Sequence, residues 1–447
     1  MPRGAIQVGV SIGAGSAYAN DRLAPAAAMA DSGRVTYVGF DSLAERTMAL
    51  AHQRRRRDPA TGQDERIREL VPLLAGYLGR GHRVVGNFGA ANPDAAVADL
   101  VDSLRAQGQH GIPIGVIRGD AVLDLVRSLD CALPERGTTV AALGDRVVSA
   151  NAYIGADPIV TCLEAGAQIV VGGRIADPSL FVGPICHELG WALDDWDAVA
   201  HATMVGHLLE CGVHSTGGNF EDPPYRVVPD PHRLGFPLAD VTRADAIITK
   251  LPGTGGAVDA RTMKTQLYYE IHDPAAYLTP DVTADFSDIE IDDLGGDRVR
   301  LWGARGRPRP ETLKVLVGVD DGFRATGEIS FGGPGCVTRA RRAEEVLRAY
   351  LQPYAASLTD VRVDLVGLTS LFGDRPTSPE PAEVRLRLAV HTPSRAVADA
   401  AAHEVELLYF GPSGGGGVVT SVVPALGVTP AFVPRELVTL TTEVVRS

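Results

Sequence analysis

The 447-residue chain predicts an α/β fold, with an N-terminal, mostly parallel βα domain over residues 1–235 and an α+β domain with a mainly antiparallel sheet over 236–447. Three observations carry this. As far as Gly235, short apolar, β-branched runs alternate with longer helical patterns, the signature of βα units. Further on, strand-like runs follow one another with few helices, and Glu383 to Val390 alternates faces as an antiparallel strand with one wet face does. The length itself suits about two domains, because a single hydrophobic core stops growing near roughly 250–300 residues.

In the first domain the candidate strands are Ile6–Ser11, Val35–Phe40, Arg83–Asn87, Ile114–Ile117 and Gln168–Val171. Each runs into a polar or glycine-rich loop: 12–16, Asp41, Asn87–Pro93, Arg118–Asp120 and Gly172–Asp177. Ligands of parallel sheets sit beyond the carboxyl ends of the strands, so these loops are expected to converge on one crevice. Asn92-Pro93, Asp157-Pro158, Asp177-Pro178 and Asp273-Pro274 each place a capping acceptor before a proline suited to the first helical position. In the second domain, strands are expected at 246–249, 299–302, 312–317, 327–331, 361–367 and 383–390, with helices at 340–351 and 395–409.

Composition narrows the partners. A net charge of −13 argues against a nucleic-acid binder, which needs Lys/Arg stripes to neutralise phosphates. The one basic run, Arg54–Arg57, reads as a solvated helix end whose cations suit the C-terminal dipole. Cys131, Cys162, Cys186, Cys211 and Cys336 are widely spaced, which fits neither a disulfide framework nor a zinc ribbon and points to a reducing cytoplasm. No signal-peptide core and no apolar stretch of membrane-spanning length appears. The expected protein is cytoplasmic and homo-oligomeric, with a small-molecule substrate and no nucleic-acid or membrane partner.

Chemistry concentrates between Gly166 and Asp222. Arg174 offers a planar fork for a carboxylate or phosphate, and Asp177 can cap a helix, act as a base or simply pair with Arg174. If Arg174 holds a ligand, Arg174→Ala abolishes activity and leaves the fold near wild type. His207, Glu210 and Cys211 share a helical face over Asp197–Cys211, a spacing that seats a metal or lines a crevice, while a core histidine and a buried cysteine give the same pattern. No tightly bound metal or cofactor is expected from this set, with weak activation by magnesium left open. Three glycine-rich loops can turn N–H groups toward an anion, although tight turns explain glycines equally well. They are the one around Gly13, Gly15 and Ser16, the one holding Gly255 and Gly256, and the one after Gly411 that holds Ser413. None carries a Walker lysine or a full dinucleotide fingerprint, and Ser413 follows a predicted helix, so it is no nucleophile elbow. Lys250 reads as a clamp beside the second loop or as a solvated strand end; as a clamp, its removal weakens substrate binding. Asp41, Asn87, Gly89, Asn92, Arg118 and Asp120 sit in the post-strand loops, and Tyr269 and Glu270 are second-domain candidates for the same site.

The motifs together are similar to the acyclic terpene utilisation (AtuA-like) family. The match runs from Ile12-Gly-Ala-Gly15 and Asp41–Arg46 through Asn87–Pro93, Asn151–Gly155, Gly173–Leu180 and Gly206–Cys211. It continues through Thr249–Gly256, Tyr269–Tyr277 and Gly411–Gly417, and departs mildly at Phe88 and Ala90. The match adds Asn151 to the candidate substrate-binding residues. The resemblance implies a place in the degradation of branched terpenoid alcohols and acids, a chemistry run through coenzyme A thioesters. The function expected is acid–base chemistry of lyase or hydratase/dehydratase type on a branched carboxylic acid or acyl-thioester. Asp177, Arg174, His207, Glu210 and Lys250 are its candidate catalytic residues. A non-catalytic subunit that binds an acyl-thioester is the alternative.

Overall fold

The apolar runs of the N-terminal half pair in parallel as Val10–Ser16, Tyr37–Phe40, Arg83–Gly86, Ile169–Val171 and Pro113–Arg118, in that spatial order. Register is set by partners such as Gly13 with Val38, Val38 with Val84, and Val85 with Val170. Antiparallel strands flank this centre: Pro237–Val241 joins Val10–Ser16, then come Ala246–Lys250, Arg298–Trp302 and Glu290–Asp293, while Thr441–Arg446 closes the other side against Pro113–Arg118. This computed structural model describes residues 9–373 and 381–447. Residues 6–8 of the expected first strand lie outside them.

Helices cover the sheet. Ser179–Leu189 and Trp196–Glu210 are largely apolar and almost wholly buried, as befits helices at the centre of a large core. Gly206 lets the second of these press on the preceding loop, since a Cβ there would stand 2.6 Å from the Pro178 carbonyl oxygen. Gly212, at φ +52°, ends that helix as a left-handed glycine should. Among the described residues no helix is long and apolar enough to cross a membrane.

The chain divides into two units, one holding residues up to Gly144, Val148–Val317 and Val428–Ser447, the other Asp145–Val147 and Gly318–Gly427. The second unit is a mainly antiparallel sheet built on Asp360–Val366, Glu383–Thr392 and those parts of the strands Thr312–Gly332 and Gly415–Pro434 that fall within Gly318–Gly427. Cys336–Tyr350 and Arg395–Leu407 bury Ala340, Leu347, Ala401 and Val405 against Ile329, Leu386 and Leu388. The α/β class and its order, a mostly parallel sheet with helices and then a mainly antiparallel region, are those the sequence predicts. The units do not divide at residue 235, because Pro237–Val241 and Ala246–Lys250 pair into the large sheet.

Three local expectations are corrected. Residues 12–16 are strand, not loop: a Cβ on Gly13 would lie 2.9 Å from Met29 and one on Gly15 2.5 Å from the Phe40 ring, so these glycines admit close packing. The runs at 312–317 and 327–331 belong to one strand, Thr312–Gly332, whose second half pairs with Glu383–Thr392 from Phe323 to Gly332. Asp157 and Asp177 cap nothing. Their helices carry no side-chain cap, and the two carboxylates pair with Arg309 and Arg174 instead. Asn92 and Asp273 do cap, accepting from the Ala95 and Ala275 N–H groups.

Candidate functional site

The parallel strands bring their carboxyl ends together, and the residues just beyond them bond to one another. Ser16 Oγ donates to the Asp41 carbonyl at 2.6 Å, and Asn87 donates to Asp41 Oδ1 at 2.8 Å while accepting from the Ser42 N–H at 2.6 Å. The Gly89 N–H reaches the Gly172 carbonyl at 2.9 Å. Asp120 Oδ2 accepts from the Arg174 N–H at 2.8 Å and from Asn151 Nδ2 at 2.9 Å, and Asn151 Oδ1 in turn meets His52 Nε2 at 2.6 Å. Buried polar groups of this kind persist only when paired. They lock the loops to one another, but of the five loops expected to form one crevice only Gly172–Asp177 supplies residues to a cavity.

That cavity, of about 400 Å3, is lined wholly by residues of the first unit. Among its lining groups His207 and Glu210 are buried and Asp177 is half-buried; its walls include Leu313, Pro310, Pro280, Tyr153 and Tyr277; Glu45, Glu270, Leu278, Thr312, Lys314 and Phe432 are its exposed residues.

Arg174 stands beside Asp177, 1% exposed and absent from the lining. It donates to Asp177 Oδ1 at 2.7 Å and to the Ile175 carbonyl at 3.1 Å, and its guanidinium lies 4.1 Å from the centre of the Tyr153 ring. The sequence leaves Arg174 open as a clamp for a ligand or as the local partner of Asp177; the fold turns it inward and forms the pair, in which it positions Asp177. Burial raises the Asp177 pKa, and Arg174 opposes the rise. Asp41, with Asn87 on one oxygen, is held well above the ordinary carboxylate range by burial and then by the charge of Asp177.

Proton placement at His207 and Glu210 follows from donor logic. His207 Nε2 lies 3.0 Å from the Gln266 carbonyl oxygen, which can only accept, so Nε2 carries a hydrogen. Burial pushes the His207 pKa down to about 4, which leaves the ring neutral near pH 7 and makes Nδ1 an acceptor. Nδ1 sits 2.9 Å from Glu210 Oε1, so that oxygen must donate: Glu210 is a neutral carboxylic acid. Burial, then the charges of Asp177 and Glu270, hold Glu210 well above its usual value, in agreement with that assignment. Its second oxygen, Oε2, is buried and has no hydrogen-bond partner.

Glu270, at φ +60°, is a non-glycine residue in the left-handed region, and its carboxylate reaches the cavity. Its neighbour Tyr269 packs edge-on against His214, 5.1 Å away, and is not among the lining residues. Other candidates also lie outside the lining. Arg118 pairs with Asp94 and Glu443. Asn92 donates to the Pro59 and Thr61 carbonyls besides capping its helix. Gly255 and Gly256 sit where a Cβ would collide with the Asp230 and Thr216 carbonyl oxygens, which makes them packing glycines. Ser413 is exposed in the second unit, with strand after it and a short helical turn before it. Lys250 is 8% exposed and bonds Asp297 at 3.0 Å and the Thr254 carbonyl at 2.9 Å. Lys250→Ala is therefore expected to cost about 1–3 kcal/mol of stability by leaving these acceptors unpaired, with substrate KM unchanged. Denaturant unfolding read beside steady-state kinetics checks it, and a raised KM at full stability would restore the clamp.

Sequence reasoning missed Tyr153 and Lys314, whereas Glu45 belongs to the charged residues just beyond the Val35–Phe40 strand and Tyr277 to the polar run after Lys250. Tyr153 falls inside a motif already quoted, at 151–155. Lys314 carries no local signal, being one exposed position of an alternating strand.

Among the described residues no group of three or more His, Cys, Asp or Glu side chains is arranged to hold a metal ion. No curated protein matches the chain. The model of the acyclic terpene utilisation family protein AtuA matches residues 10–444, which takes in both units and every residue of the cavity, and the chain belongs to that family.

Proposed function

We propose that the chain is an enzyme that adds water to, or removes it from, a branched carboxylic acid or its thioester by proton transfer at Glu210 and Asp177. One observation carries the reading: a neutral carboxyl, tied through Oε1 to a neutral histidine and left without a partner at its buried Oε2, belongs to a residue lining the same cavity as a carboxylate paired with arginine. Two carboxyl groups whose surroundings separate their proton affinities are the usual means of running acid and base steps together. From the resting state, dehydration takes the carbon-bound proton onto the Asp177 carboxylate while Glu210 gives its carboxyl proton to the departing hydroxyl, so that water leaves, the double bond forms, and Asp177 ends protonated and Glu210 ionised. Hydration runs the same steps backwards from that state: the Glu210 carboxylate takes a proton from water, the water oxygen bonds to one carbon of the double bond, and protonated Asp177 delivers its proton to the next, which restores the resting state. Arg174 steadies Asp177, and Tyr153 with the apolar wall seats the hydrocarbon. The test is turnover of branched 3-hydroxy and 2,3-unsaturated acids and their coenzyme A thioesters, followed by loss or gain of the conjugated double bond's absorbance. Absence of conversion across both series defeats the proposal.

A further inference from the structure

We propose that Lys314 anchors the carboxylate of an aliphatic monocarboxylic acid, which enters the cavity as the free acid and not as a coenzyme A thioester. The inference rests on the proton-transfer reading and specifies its substrate. Among the described residues lining the cavity, Lys314 is the one Lys or Arg, set against the carboxyl groups of Glu45, Asp177, Glu210 and Glu270. A substrate with several negative charges is repelled by such a surface, whereas a single carboxylate finds one partner, at Lys314.

Lys314 is placed for the task. Its Nζ lies 4.8 Å from the centre of the Tyr153 ring, which orients it, and 3.7 Å from Glu45 Oε1, too far for a hydrogen bond. Its ammonium hydrogens therefore remain available to a ligand. Its side chain is 44% exposed, whereas His207 and Glu210 are buried and Asp177 is 32% exposed. Leu313, Pro310 and Pro280 supply the apolar wall of the same cavity. An acid lying along that wall puts its carboxylate on Lys314 and its carbon chain toward the acid–base groups. A thioester carbonyl has no full charge for Lys314 to neutralise, and the phosphates of coenzyme A find carboxylates at Glu45 and Glu270.

Calorimetric titration of the full chain with 3-methylbutanoate and its longer 3-methylalkanoate homologues, their methyl esters and their coenzyme A thioesters tests this. The acids should bind more tightly than the thioesters. Lys314→Met should weaken the acids roughly tenfold or more, the effect of losing one charge-assisted contact, and Lys314→Arg should restore most of it. The methyl esters should bind wild type and Lys314→Met alike, and unchanged thermal midpoints show that the exposed substitution leaves the fold intact. Thioesters binding more tightly than acids, acid affinity indifferent to Lys314→Met, or no binding by any of these probes would overturn the proposal. Thioester turnover undiminished in Lys314→Met overturns it too, while leaving the proton-transfer reading in place. Acids that bind as described and are never converted leave Lys314 as the anchor and remove the reaction instead.

Discussion

Glu210→Gln is expected to lower kcat by about 10²–10⁴-fold, the usual contribution of a positioned proton-transfer group, with KM and folding close to wild type. The substitution separates the proton from the hydrogen bond. A glutamine amide still donates to His207 Nδ1, as the neutral acid does across 2.9 Å, and still presents an oxygen to the cavity, but it cannot exchange a proton. The pH dependence of stability gives an independent reading. Because the carboxyl of Glu210 is raised well above its unfolded value, the folded chain binds the extra proton between those two values. Stability is therefore highest below the ordinary carboxylate range and falls as pH rises through the raised folded value. Denaturant midpoints against pH should show this downward slope in wild type and a shallower one in Glu210→Gln. Identical slopes in the two proteins would mean that Glu210 is ionised in the fold and that the His207 assignment is wrong.

Arg174→Ala is expected to cost about 3 kcal/mol or more of stability as well as activity, because removing one partner of a buried ion pair leaves its charge uncompensated. The orphaned groups are identifiable. Arg174 opposes the rise of the Asp177, Asp41 and Glu210 pKa values, so its loss drives all three further up. Whatever activity survives should have its acid limb moved to higher pH, since Asp177 then protonates earlier. Arg174→Lys should keep part of the stability, retaining charge while losing the fork that serves Asp177 and the Ile175 carbonyl together. Unfolding of Arg174→Ala at the wild-type midpoint would return Arg174 to the role its loop position suggests, a dispensable cation that holds a ligand.

Arg174 illustrates what local sequence conveys. The pattern Gly-Gly-Arg-Ile-Ala-Asp-Pro after an apolar strand places an arginine and an aspartate in a post-strand loop. Whether the side chain points to solvent or inward depends on Asp120 capturing the Arg174 N–H from 54 positions away, and on Tyr153 lying beside the guanidinium. No local pattern reports either. The glycines at 13 and 15 were legible as glycines, but their reason is Met29 and Phe40, which arrive through packing. His207 and Glu210 were legible as a pair because helical spacing is short-ranged; the tautomer that makes Glu210 an acid comes from the Gln266 carbonyl, 59 positions on.

The sequence by itself determined the parts whose causes are local. Apolar periodicity set the alternating strands and helices and the change to an antiparallel texture, helical spacing put His207 and Glu210 on one face, and the spaced motifs carried the family. Only the tertiary structure decided which charged residues meet, since a pKa or a hydrogen-bond direction is set by everything within a few ångströms regardless of separation along the chain. It withdrew Lys250 to a pair with Asp297, placed Arg174 beside Asp177, and brought Glu45 and Lys314 together at one cavity. Burial, a property of the whole fold, left Glu210 holding its proton.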